Sequence, residues 1–178
     1  MLLSNFAADE RIFIDANIFI YNALDDPNYA QACSDFLRLV EKNKIKGVIT
    51  PHIMDEVLFK ILVAEAAQHI EKFNIPTLKR ELKNTSFSSM VYNPVKEYID
   101  YLKELTYGGL EILTVDAVLV EKSIDLGRRY GLLTTDAIHL STVEQYGISN
   151  IATNDSDFER VKSINIYKPE RSAPRFNI

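Results

Sequence analysis

Two carboxylates stand two residues apart in the run Ile151-Ala-Thr-Asn-Asp-Ser-Asp-Phe158. The run starts apolar, as the end of a strand does, then breaks into Thr153, Asn154, Asp155, Ser156 and Asp157. Carboxylates crowded at a strand end repel each other, and a bound dication is the commonest device that makes such crowding tolerable. Ligands of open α/β sheets sit in the crevice at the carboxyl ends of the strands. Asp15, Glu56 and Asp136 occupy the same kind of position, each just after a strand or in the first turns of a helix that follows an apparent strand or loop. Parallel strands joined by right-handed crossovers bring all these positions to one sheet edge. Asp15, Glu56, Asp136 and Asp155 then form an all-oxygen site suited to Mg²⁺ or Mn²⁺. Such a site lowers the pKa of water and stabilises in-line displacement at phosphorus, which is phosphodiester hydrolysis. Other metal-dependent phosphoryl chemistry fits these residues nearly as well.

Several alternatives are disfavoured by what the chain lacks. The lone cysteine, Cys33, precludes an intramolecular disulfide and a cysteine-rich zinc site. The three histidines are widely separated, which also speaks against zinc. Neither G-x-x-x-x-G-K-[ST] nor G-x-G-x-x-G occurs, so nucleotide binding of those kinds is not expected.

The elements that must position the acids read as alternating strands and helices. Strand candidates are Arg11 to Asp15, Lys46 to Thr50, Leu110 to Thr114, Asn150 to Thr153 and Ile164 to Tyr167. Apolar residues at 29, 33, 36, 37 and 40 have helical spacing, and Cys33 on that face reads as a buried, inert thiol. Thr50-Pro51 is a helix start, and the helix is expected to run to about Phe73 with Ile53, Val57, Ile61 and Ala64 on one stripe. Between Asn74 and Gly109 the prolines at 76 and 94 and the polar stretch Lys83 to Ser89 suggest breaks, with helices at about Thr77–Lys83 and Pro94–Tyr107. Asp116 is expected to cap a helix through Tyr130, with Val120, Ile124 and Leu126 facing the core and Gly131 ending it. A further helix contains Asp136 and stops at Tyr146-Gly147; a short helical turn covers Phe158 to Val161. The fold class is therefore α/β: a mainly parallel sheet of about five strands with helices on both faces. Residues 1–178 read as one domain, with 73–109 a helical insertion and 168–178 an irregular tail.

Hydrophobic residues make up 47% of the 178, enough for a substantial core. The net charge of -5 argues mildly against a broad nucleic-acid-binding surface, and leaves local basic groups such as Lys42, Lys44, Lys46 or Arg128, Arg129 for any such contact. No run approaches a membrane span and no signal peptide is evident at Met1 to Arg11, so a cytoplasmic protein is expected.

Each acid also has an ordinary reading, and for Asp15 it is that of a turn acid at a strand end. Glu56 with Lys60 makes a common helix pair. Asp136 and Asp155 are both at positions where aspartate caps helices. His139, three residues after Asp136, could orient a ligand acid, but its apolar surroundings favour plain packing. Tyr92, Tyr98, Tyr101 and Tyr107 could stack on bases, with core packing or a dimer interface the more usual use.

Four segments together carry a resemblance. Phe13-Ile-Asp15-Ala-Asn17-Ile-Phe-Ile-Tyr21, Asp55-Glu56-Val, Thr135-Asp136-Ala-Ile-His-Leu140 and Ala152-Thr-Asn-Asp155-Ser-Asp-Phe158 resemble, in order, the motifs of the PIN domain, and more narrowly those of VapC-type toxins and their archaeal relatives. The resemblance implies a three-layer α/β/α endoribonuclease that cuts RNA with Mg²⁺ or Mn²⁺. It further implies a homodimer and, for toxin members, a cognate antitoxin. By position, Asp15, Glu56 and Asp136 match the core metal-binding acids and Asp155 the more variable fourth. Asn17 and Thr153 match residues that arrange the pocket by hydrogen bonding, and Asp157 belongs to the same motif as a supporting or capping residue. The Phe73 to Gly109 region is longer than in compact toxins. A stand-alone RNA-processing PIN nuclease would present the same motifs, and a non-catalytic PIN-like domain that binds RNA or protein is the remaining class. The full set of four acids favours an enzyme.

Overall fold

The computed structural model describes residues 1–6 and 10–172. Its centre is β1 (Arg11–Ile14), whose Ile12, Phe13 and Ile14 are wholly buried. An unbroken apolar run of this length suits a strand covered on both faces. β1 lies between β2 (Lys46–Ile49) and β4 (Asn150–Ala152); β3 (Leu110–Ile112) flanks β2 and β5 (Asn165–Tyr167) flanks β4. The order is β3-β2-β1-β4-β5 and every pairing is parallel.

The helices are α1 (Ala16–Ala23), α2 (Ala30–Glu41), α3 (Pro51–His69), α4 (Ile75–Glu81), α5 (Thr85–Tyr107), α6 (Ala117–Tyr130) and α7 (Thr134–Gln145). The chain moves outward from β1 to β2 to β3, then crosses back past β1 to β4. Right-handed crossovers therefore put α1 to α5 on one face of the sheet and α6 with α7 on the other. The packing agrees: α3 contacts α1 and α5, α2 contacts α1 and α5, and α6 packs along α7. The result is the expected three-layer α/β/α arrangement around a five-stranded parallel sheet. The main core joins the sheet to α1–α3 and α5, and a smaller cluster of Leu126, Leu140 and Val161 lies with α6 and α7.

Several local expectations need correction. α3 ends at His69 rather than near Phe73. α4 begins at Ile75 because the Asn74 side chain accepts the Thr77 N–H at 2.8 Å. The polar stretch after Lys83 is not a break: Asn84 accepts the N–H groups of Ser86 and Phe87 and starts a 23-residue helix. Pro94 sits inside that helix, where buried Val91, Val95, Leu102 and Leu105 hold it against α3 and α2 despite the missing N–H. β3 is shorter than read, stopping at Ile112. In α6 the buried face is Leu119, Ser123 and Leu126, so Val120 and Ile124 face outward at 38% and 56% exposure. Asp116 does cap α6, accepting the Leu119 N–H at 2.9 Å, and Gly131 closes it with φ 66°.

Of the tyrosines considered for base stacking, Tyr98 donates its hydroxyl inward toward the Phe19 carbonyl and Asn22 Oδ1, and Tyr101 lies against it. Tyr107 is 90% exposed. At the chain start, Leu2 bridges Lys168 and the Met1 ammonium donates to the Ile166 carbonyl at 2.8 Å. The expected irregular tail is described only as far as Ser172; 173–178 lie outside the described residues.

Candidate metal centre

β1 is the topological switch point, because its two neighbours are reached by crossovers on opposite faces. The crevice at its carboxyl end is where the acids collect. Asp15 follows Ile14 directly and caps α1, its Oδ1 accepting the Ala16 N–H at 2.7 Å. Oδ2 accepts the Thr153 hydroxyl at 2.6 Å and the Asn17 side-chain amide. Thr153 stands just past β4, the strand beside β1, so Asp15 is fixed from both strands. Burial pushes the Asp15 carboxyl up to about 7, against the lowering effect of its Thr153 and Ala16 hydrogen bonds, and the charges of Glu56 and Asp136 add to the rise.

Glu56 reaches the crevice from the second turn of α3, which Thr50 caps through the Ile53 N–H. Its charge acts on both Asp15 and Asp136. No ion pair with Lys60 forms among the described residues, so the ordinary helix-pair reading does not describe Glu56. Asp136 is the third residue of α7 and caps nothing; the cap position is Leu133. Its carboxyl rises to about 6, first from burial and then from the charges of Asp155, Asp157 and Glu56.

The loop after β4 supplies the remaining acids. Thr153 Oγ1 accepts the Asp155 N–H at 2.9 Å, and Asp155 Oδ1 accepts the Asp157 N–H at 2.8 Å. Asn17 ties the same loop to α1, donating to Thr153 Oγ1 and accepting the Asn154 N–H. Asp136, Asp155 and Asp157 each present an oxygen within 4.8 Å of the others'. Asp157, expected only to support or cap, thus stands in the tightest acidic group, while Asp15 and Glu56 border it closely enough to perturb Asp136 or be perturbed by it.

This donor set fits a hard divalent cation. Every available atom is a carboxylate oxygen, and two carboxyls are held far above their ordinary range until positive charge enters. Softer ligands are elsewhere: Cys33 is buried in α2. His139 packs against Phe13 with ring centroids 5.3 Å apart, and neither nitrogen has a partner. Burial, with His52 nearby, pushes its imidazole down to about 4, so it is a packed neutral ring that does not hydrogen-bond Asp136.

Two roles in the site escaped the sequence reading, that of Asn154, named there only as part of its polar run, and that of Arg160. Asn154 donates its side-chain amide to the Tyr21 hydroxyl at 3.0 Å, fixing the loop to α1 a second time. Arg160 donates to Asp157 and to the carbonyls of Tyr130 and Gly131. The Asp157–Arg160 spacing was the available signal, though it looks like any surface pair.

The family model described as PIN domain matches residues 12–164. Ribonuclease VapC6 of Methanocaldococcus jannaschii is 30% identical over 157 residues, covering 88% of this chain and 96% of the relative. Ribonuclease VapC2 of the same organism is 28% identical over 159 residues, 89% of this chain and 93% of the relative. Among solved structures, a toxin–antitoxin complex from Klebsiella pneumoniae superposes with a TM-score of 0.54 at 16% identity, over 86% of this chain and 95% of that one. VapBC2 from Rickettsia felis, solved with a DNA fragment from its promoter, gives 0.50 at 15% identity over 90% and 99%. The structural likenesses speak for the fold alone. With the family model running from β1 to the residue before β5, and both relatives aligned over nearly their full length, this chain belongs to the PIN domain family.

Proposed function

We propose that this protein is a metal-dependent endoribonuclease of the VapC kind, with the whole chain forming one nuclease domain. The observation that carries the reading is the meeting of Asp15, Glu56, Asp136, Asp155 and Asp157 at the switch point of a parallel sheet. Two relatives named as ribonucleases over nearly the full chain point to RNA as the substrate. Asp15, Glu56, Asp136 and Asp155, with Asp157, would hold Mg²⁺ or Mn²⁺. When bound there, the cation would supply an acidified water and charge neutralisation at the scissile phosphate. The protein's own part is positional. Thr153 and Asn17 keep the Asp15 carboxylate in one orientation, and Thr153 Oγ1 and Asp155 Oδ1 shape the β4 loop so that Asp155 and Asp157 face Asp136.

The protein would act in the cytoplasm as the toxin of a toxin–antitoxin pair, as a homodimer held by a cognate antitoxin until released. None of its described helices is long and apolar enough to cross a membrane. The test is cleavage of a mixed RNA pool with Mg²⁺ or Mn²⁺, comparing wild type with Asp136→Asn. Cleavage that needs metal and disappears in the variant is expected. Equal cleavage by both proteins would remove the assignment.

A further inference from the structure

Arg160 occupies an unusual place for a cation beside an acidic pocket. It follows the β4 loop at the end of a short 3₁₀ turn, Asp157–Arg160. Its Nη1 donates to the Gly131 carbonyl at 2.8 Å and the Tyr130 carbonyl at 3.2 Å, and its Nη2 donates to Asp157 Oδ1. The two carbonyls are the unpaired end of α6, where a cation is favoured by the helix dipole. Gly131 makes the approach feasible: a Cβ there would stand 2.9 Å from Nη1, and φ 66° is left-handed. The guanidinium fork therefore spans from the end of α6 to one oxygen of Asp157, and Asp157 faces Asp136 and Asp155.

We propose that Arg160 is a positioning residue for the acidic site, fixing Asp157 in the orientation from which it completes the cation's ligands with Asp136 and Asp155. The inference rests on the metal-site reading above. Its physical content is a contest between opposed effects. As a bare positive charge, Arg160 repels an incoming dication, so removing it would tighten cation binding. As a clamp, it holds Asp157 pre-organised, so removing it would loosen binding. Half of the side chain is exposed, which screens the charge; the fixed fork geometry is unaffected by screening. The clamp is therefore the larger effect.

The experiment is Mn²⁺ titration of the full chain, followed by calorimetry and by the rise in thermal midpoint, for wild type, Arg160→Gln, Arg160→Lys, Asp157→Asn and the double variant Asp157→Asn/Arg160→Gln. Arg160→Gln is expected to weaken Mn²⁺ binding about tenfold, the lower end of what supporting residues contribute to metal affinity. Arg160→Lys keeps the charge without the fork and recovers only part of the loss. In the Asp157→Asn background Arg160→Gln has no further effect. Unchanged or tighter binding by Arg160→Gln would overturn the proposal, as would full recovery by lysine or an equal loss in the Asp157→Asn background. If Arg160→Gln does not fold, the lysine variant carries the test. Failure of the wild type itself to bind Mn²⁺ would bring down the metal-site reading and this inference with it. Wild-type binding with no Arg160 effect would bring down the inference alone.

Discussion

Thr153 Oγ1 donates to Asp15 Oδ2 at 2.6 Å and accepts the Asp155 N–H at 2.9 Å, so one hydroxyl joins the ends of two neighbouring strands. It also accepts from Asn17, which uses its full hydrogen-bonding capacity in a wholly buried position. Thr153→Val keeps the shape and removes all three bonds. Stability is expected to fall by about 1–3 kcal/mol, the usual cost of leaving buried polar groups unpaired, and the Asp15 carboxyl to rise further. Thr153→Ser keeps the hydroxyl and should lose less. Urea denaturation at neutral pH with EDTA measures both; a valine variant as stable as wild type would break the coupling.

His139 gives an acid-side prediction. Its folded pKa of about 4 lies below the ordinary 6.5, so the folded state binds fewer protons than the unfolded between those values. The stability it contributes is present above pH 6.5 and is lost as pH falls through 4. Because neither ring nitrogen has a partner, His139→Leu sacrifices no hydrogen bond. The leucine variant should unfold at higher urea than wild type, with a gap that widens from pH 7 to pH 5. A variant less stable than wild type at pH 5 would mean that the ring has an unseen polar role.

The carboxylates give the opposite slope. Asp15 and Asp136 titrate near 7 and 6 in the folded protein against 3.8 ordinarily, so the folded state holds extra protons in between. Without metal, their contribution is present below about pH 4 and lost as pH rises through 6 to 7. For buried Asp15 the ceiling is about 4 kcal/mol, at about 1.4 kcal/mol per pH unit. Thermal midpoints in EDTA, in the His139→Leu background so that the slopes separate, should fall across this window. Millimolar Mn²⁺ should abolish the fall above pH 6. A flat profile in EDTA would contradict the crowding of these acids.

Much of the fold could be read from the chain because its signals are local. Ile12, Phe13 and Ile14 form an apolar run, Thr50-Pro51 is a helix start by chemistry alone, and Gly131 follows its helix where a left-handed residue is required. The errors came where tertiary packing outvotes local preference. Pro94 reads as a breaker, yet α5 continues through it because both sides of the proline are buried against α2 and α3. Val120 and Ile124 are apolar at helical spacing, but the face that meets α7 is Leu119, Ser123 and Leu126; Ser123 is small, and its hydroxyl is satisfied by the Val120 carbonyl within its own helix. Asp15, Glu56 and Asp155 could be gathered because each follows a strand, and Asp136, which has α6 rather than a strand before it, because it lies in the first turn of a helix. Arg160 could not, because the carbonyls that anchor it lie at Tyr130 and Gly131, far back in the chain.

The sheet order has a consequence in time as well as in space. The crevice takes Asp15 and Glu56 from the first third of the chain and Asp136, Asp155 and Asp157 from the last third, with the strand carrying Asp15 clasped between them. During synthesis on the ribosome, residues up to Ile112 can form β1, β2 and β3 with their helices, but β1 then lacks its second neighbour and Asp15 lacks the Thr153 hydroxyl. The pocket closes only when β4 slides in beside β1. A chain that stops before Thr153 therefore lacks the hydroxyl that holds Asp15 and the Asp155 and Asp157 carboxyls that face Asp136, so a message broken before that codon yields a fragment without the finished pocket.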